Sequence, residues 1–87
     1  LQNYPNPFNP ETTINFDMPT SGPARLEIYN VRGQMVKTLA EGNHEFGRHS
    51  YVWNGTDNGG NSVSSGIYFY RLTTSGHNES RKMMLMK

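Results

Sequence analysis

The chain contains no cysteine. That excludes disulfide reinforcement, thiolate nucleophiles and cysteine-ligated zinc or iron–sulfur centres, while leaving the compartment open. Neither charge sign dominates: eight Lys and Arg stand against seven Asp and Glu, a formal +1. Arg81, Lys82 and Lys87 make one end locally basic. Three cations are too small a footprint for nucleic acid. No apolar run approaches the roughly 20 residues of a membrane-spanning helix, so membrane insertion is not expected. No signal peptide is visible, and Leu1 is not an initiator methionine. The expectation is a piece of a longer protein whose export signal lies upstream.

Glycine and proline are plentiful. Nine Gly and five Pro punctuate short apolar runs over 87 residues, the texture of a single all-β domain spanning 1–87. Such a chain buries only about 60–65% of its unfolded surface, so its stability should be modest. Residues 1–11 form a proline-rich lead-in, in which Pro5, Pro7 and Pro10 exclude helix and favour extended backbone. Tyr4 and Phe8 are expected to tuck against a body spanning 12–87. In that body, period-two alternation puts Ile14, Phe16 and Met18 inward on one strand, then Leu26 and Ile28 on the next. Further strands are read at 35–39, 48–53, 67–73 and 80–86, with a polar loop over 40–47 and hairpin turns at 30–33 and 75–78. The run from Ile67 to Thr73 is apolar on both faces and therefore reads as central. The predicted core is Ile14, Phe16, Leu26, Ile28, Val36, Tyr51, Trp53, Tyr68, Tyr70 and Leu72. Six or seven short antiparallel strands point to an immunoglobulin-like β-sandwich with Greek-key connections, a small barrel being the alternative.

Candidate chemistry is sparse. His44, His49 and His77 fall on a loop, a strand and a hairpin turn, without the carboxylate spacing of a hydrolytic zinc site. No serine sits in a nucleophile elbow, so no catalytic residue, cofactor or metal ligand is assigned. The stretch Asn54–Asn61 has the oxygens of a calcium loop but a single carboxylate, Asp57, which suits an Asx-turn better. Tyr29, Tyr51, Trp53, Tyr68, Phe69 and Tyr70 could form a sugar-stacking platform, although strands and cores favour aromatics on their own account. The end, Lys82-Met83-Met84-Leu85-Met86-Lys87, is the odd segment. Alternation hides either Met83 and Leu85 or Met84 and Met86, leaving the other pair outward. Such a strand is either covered by the lead-in or an edge that another protein pairs with.

The string Gln2-Asn3-Tyr4-Pro5-Asn6-Pro7-Phe8-Asn9-Pro10, with Thr12 and Ile14, resembles the start of a type A C-terminal sorting domain of the type IX (Por) secretion system. Ile28-Tyr29-Asn30, Gly33-Gln34, Gly47, His49 and Trp53-Asn54-Gly55 follow in that family's order. So do Gly66-Ile67-Tyr68-Phe69-Tyr70-Arg71-Leu72 and the closing Lys82-Met83, Leu85 and Lys87. Asn54 stands where the family often has Asp, and Met18 where it often has Leu. Related sandwiches occur in a flagellar hook-capping protein.

The resemblance implies a monomeric, non-catalytic module at the end of its parent, where Lys87 fits as the last residue. Outer-membrane type IX translocon components would recognise it and export the covalently linked upstream cargo. The parent would transit the periplasm and be secreted or held at the cell surface. Lys82, Met83, Met84, Leu85, Met86 and Lys87 are the residues expected to be read by the translocon. The competing reading is an immunoglobulin-like spacer or carbohydrate-binding module of a secreted hydrolase.

Overall fold

The computed structural model describes residues 1–87, and every regular element in it is a strand. In chain order these are β1 (Gln2–Tyr4), β2 (Thr12–Met18), β3 (Gly22–Asn30), β4 (Met35–His44), β5 (Gly47–Trp53), β6 (Gly66–Thr74) and β7 (His77–Leu85). They form two antiparallel sheets, ordered β1-β2-β5 and β4-β3-β6-β7. The sheets interlock: β2 pairs with β5 in one, and their chain successors β3 and β6 pair in the other. This is the expected immunoglobulin-like sandwich, not a closed barrel.

Alternation decides what faces inward. Ile14, Phe16, Met18, Leu26, Ile28, Trp53, Tyr68, Tyr70 and Leu72 are all buried between the sheets. The ladder sets Leu26 opposite Leu72 and Ile28 opposite Tyr70, so cross-strand neighbours share the core face. Val36 and Tyr51 are only half-buried, though they pack on the core. Both lie on outer strands, β4 and β5, where the opposing sheet covers one side less fully. β6 is interior, between β3 and β7. Its register settles the rivalry within the run: Tyr68 and Tyr70 face in, and Phe69 faces out.

Three expectations need correction. The turn at 75–78 is confined to Ser75 and Gly76, because His77 and Asn78 already pair with Thr74 and Thr73 in β7. The segment 40–47 is not a loop; β4 continues to His44, pairing Gly42 with Ala24 and His44 with Gly22. Its inward positions, Ala40, Gly42 and His44, offer little apolar alternation, but ladder bonds use the backbone and do not need it. Tyr4 is not tucked in either, being 77% exposed. β1 pairs Tyr4 with Thr13 and Asn3 with Ile14, which turns Asn3 inward and Tyr4 outward. Asn3 is then held by three partners. Its Oδ1 accepts from the Tyr70 hydroxyl (3.0 Å), and its Nδ2 donates to Thr12 Oγ1 (3.0 Å) and to the Pro5 carbonyl (3.4 Å).

Burial raises the phenol pKa of Tyr68, Tyr70 and Tyr29 above the ordinary value, and for Tyr29 the hydrogen bond to Glu27 adds to it. A raised pKa means that the folded state keeps its proton where the unfolded chain has begun to lose it. The linked stability is therefore fully present below about pH 10 and lost as pH rises through the folded values. The urea midpoint should hold steady from pH 8 to 9 and fall above about pH 10. An unchanged midpoint at pH 11, where unfolded tyrosines ionise, would contradict the burial of these hydroxyls.

Candidate functional site: the terminal strand and the lead-in

The lead-in and the terminal strand form one hydrogen-bonded element. From β1 the chain crosses to the edge of β7 and returns to β2. The Phe8 amide donates to the Met84 carbonyl (3.0 Å), and the Met86 amide donates to the Phe8 carbonyl (2.8 Å). The Met84 amide donates to Asn6 Oδ1 (3.1 Å). Pro5, Pro7 and Pro10 have no amide hydrogen, which leaves Phe8 among the few donors this segment can offer to the edge. The Phe8 ring is buried and tilted against Trp53, with centroids 5.7 Å apart. Trp53 also meets Tyr68 edge-on at 5.2 Å and donates its indole N–H to the Thr56 carbonyl (2.8 Å).

The terminal run divides by parity. Met83 and Leu85 are in the core; Lys82, Met84, Met86 and Lys87 are exposed. Both alternatives for this strand are thus partly realised. The lead-in occupies the backbone edge at Met84–Met86, while the outward side chains stay in solvent. Toward its start, β7 turns the backbone groups of Asn78 and Ser80 away from β6, with no lead-in bonded to them. Glu79 and Arg81 lie on the inward-facing side there and pair with each other (3.0 Å). Inward charges on a bare edge discourage pairing with another sheet.

Gly55 sits where the core closes over this element. Its φ is +77°, and a Cβ there would lie 3.5 Å from Leu85 Cδ2 and from the Pro10 carbonyl oxygen. Glycine is thus required by conformation, while the space would admit a Cβ in ordinary contact.

The other candidates resolve into structural roles. Asp57 Oδ1 accepts from the amides of Gly59 (3.0 Å) and Asn61 (2.9 Å), as an Asx-turn should. Asn58 docks the same turn on the outer edge of β4: its amide donates to the Val36 carbonyl, and its Oδ1 accepts from the Thr38 amide. A turn fastened in this way has its one carboxylate already engaged, so adding calcium should leave the melting temperature unchanged. Several degrees of stabilisation at micromolar calcium would show that the loop is a metal site after all. Of the six aromatics proposed as a platform, Trp53, Tyr68 and Tyr70 are buried. His44 and Tyr51 tie β4 to β5, with Nε2 and the hydroxyl 2.7 Å apart, and His49 stacks on Phe16.

Sequence reasoning missed Glu27. It is an outward residue of β3, yet only 5% exposed. The Arg25 guanidinium lies 3.2 Å from its carboxylate, and the Tyr29 hydroxyl donates to it at 2.9 Å. Arg71 stands over the Tyr29 ring, 4.8 Å from its centroid. The alternation Arg25-Glu27-Tyr29 was the available signal for such an outward cluster.

A model of the FlgD Ig-like domain matches residues 4–78. The chain belongs to that family. No curated protein sequence matches it significantly. Among solved structures, dimeric latent PorU from Porphyromonas gingivalis is similar over 98% of this chain and 9% of its own, at 23% identity and a TM-score of 0.80. PorZ of the same organism, described as an essential surface component of its type IX secretion system, is similar over 99% of this chain and 11% of its own (21%, TM-score 0.65). FlgD from P. aeruginosa is similar over 85% of this chain and 59% of its own (22%, TM-score 0.67). This FlgD Ig-like domain thus spans a small part of PorU and PorZ and under two thirds of FlgD. At these identities the likeness is one of fold. The family match ends within β7, so Lys82–Lys87 lie beyond it.

Proposed function

We propose that this domain is a folded, non-catalytic C-terminal sorting module. It directs an upstream cargo across the outer membrane through a type IX translocon, to the medium or the cell surface. The observation that carries the reading is the joining of the Asn3–Pro10 string to Met84–Met86. The opening string, the most specific carrier of the sorting-domain resemblance, and the closing segment are far apart in sequence, yet make one hydrogen-bonded element. Support also comes from coverage. PorU and PorZ are similar over 98% and 99% of the chain, whereas FlgD from P. aeruginosa covers 85%.

In this reading the translocon meets a surface, not an unfolded tail. Lys82, Met84, Met86 and Lys87 are available to a partner, and Met side chains adapt to a groove at little packing cost. Met83 and Leu85 act indirectly by holding the strand in place. The test is a fusion of residues 1–87 behind a reporter with its own signal peptide, expressed in a type IX-secreting bacterium. The parent fusion should leave the cell. Met84→Ser with Met86→Ser should remain in the periplasm while melting as the parent does. Normal export of that folded double variant would remove both side chains from the signal.

A further inference from the structure

The sandwich has two outward faces, and they differ. On the three-stranded sheet, Asn15, Asp17, Arg48 and Ser50 point outward, with Asp17 paired to Arg48 (3.2 Å) and Ser50 bonded to Asn15; its apolar outward residues, Tyr4 and Val52, stand apart on either side of Thr13. On the four-stranded sheet, the ladder aligns Met35, Tyr29, Phe69 and Lys82 in one row across all four strands. Residues opposite one another share a face. The neighbouring residues Ile28, Tyr70 and Met83 are core, so this row points to solvent. The next outward row adds Ile67 opposite Met84, and Val31 follows in the β3–β4 turn. Val31, Met35, Phe69 and Met84 are 67, 50, 36 and 39% exposed. A contiguous apolar strip left outside a completed core marks an interaction surface.

Charge narrows the occupant. Beside the strip lie Arg71, next to Phe69 on β6, and Lys82 at the end of the row, both exposed. The nearest carboxylate on this face, Glu27, is buried and already engaged by Arg25 and Tyr29. What the strip presents to a partner is therefore apolar side chains bordered by Lys82, which has no ion pair, and by Arg71, which stacks on Tyr29 and stands opposite the already engaged Glu27. Anionic bilayers call for clusters of about four to eight basic residues, more than this face has.

We infer that this face docks a segment of a partner protein that sets apolar side chains on Phe69, Val31 and Met84 and carboxylates opposite Arg71 and Lys82. The inference rests on the sorting reading and specifies the chemistry of what does the reading. It widens the recognised surface from the terminal strand to β3 and β6.

Two pairs of substitutions in the same reporter fusion test it. Val31→Ser with Phe69→Thr removes the apolar half, and Arg71→Gln with Lys82→Gln removes the charged half. Each should lower the exported fraction about tenfold, the reporter accumulating in the periplasm, with the purified domain melting as the parent does. Arg71→Lys with Lys82→Arg keeps the charge and should restore export. If the Phe69→Thr pair fails to fold, Val31→Ser alone carries the apolar arm. Normal export of both folded pairs overturns the inference and leaves the sorting reading intact. A parent fusion that leaves the cell no better than the unfused reporter overturns the sorting reading instead. Dimerisation in analytical ultracentrifugation that either pair abolishes would give the face to a second copy. Co-sedimentation with phosphatidylserine-containing vesicles, lost in the Arg71→Gln, Lys82→Gln pair, would give it to the membrane. Both results would also overturn the inference.

Discussion

Phe8→Ala should cost about 3–5 kcal/mol, the usual range for deleting a fully buried aromatic ring. In a domain of this size that lowers the melting temperature by at least about 12 °C. Phe8 is 2% exposed, lies against Trp53, and its backbone ties the lead-in to Met84 and Met86. Removing the ring leaves a void under Trp53 and loosens the crossing between the sheets. Tyr4→Ala, four residues earlier and outward, should change stability by no more than about 0.5 kcal/mol. Thermal melts by circular dichroism compare the two. Equal, small effects would mean that the lead-in is not part of the core.

Within the terminal strand the same contrast should appear at adjacent positions. Leu85→Ala should destabilise by about 2–5 kcal/mol, because Leu85 is 1% exposed and lines the closure at Gly55. Met84→Ser with Met86→Ser should stay within about 0.5 kcal/mol per site, since both side chains stand in solvent. Denaturant titration of the purified variants measures this. If the outward pair were as costly as Leu85→Ala, export defects in that pair would report unfolding and not recognition.

Much of the sandwich was legible from alternation. Phe16, Leu26, Ile28 and Trp53 are core because a period of two admits one choice once a face is buried. Ambiguity arose where both parities are apolar, as in Ile67–Leu72 and Met83–Met86. There only the ladder, pairing Tyr68 with Met83 and Ile67 with Met84, separates inside from outside. The continuation of β4 through Gly42 to His44 was hidden because an edge strand can pair without apolar residues. The position of Tyr4 was misjudged for a related reason. Its parity depends on the β1–β2 register, and a three-residue strand among prolines carries too little alternation to reveal it. The outward row Met35–Tyr29–Phe69–Lys82 spans four strands, so no local window of sequence contains it.

The most direct test of the central claim is translocon dependence. The measurement is the fraction of a periplasmically targeted reporter that reaches the medium or surface with residues 1–87 attached. It is made in a type IX-secreting strain and in the same strain lacking its translocon. The account predicts export in the first, retention in the periplasm in the second, and retention in both when the domain is absent. Equal export from the two strains, or equal retention in both, would contradict it.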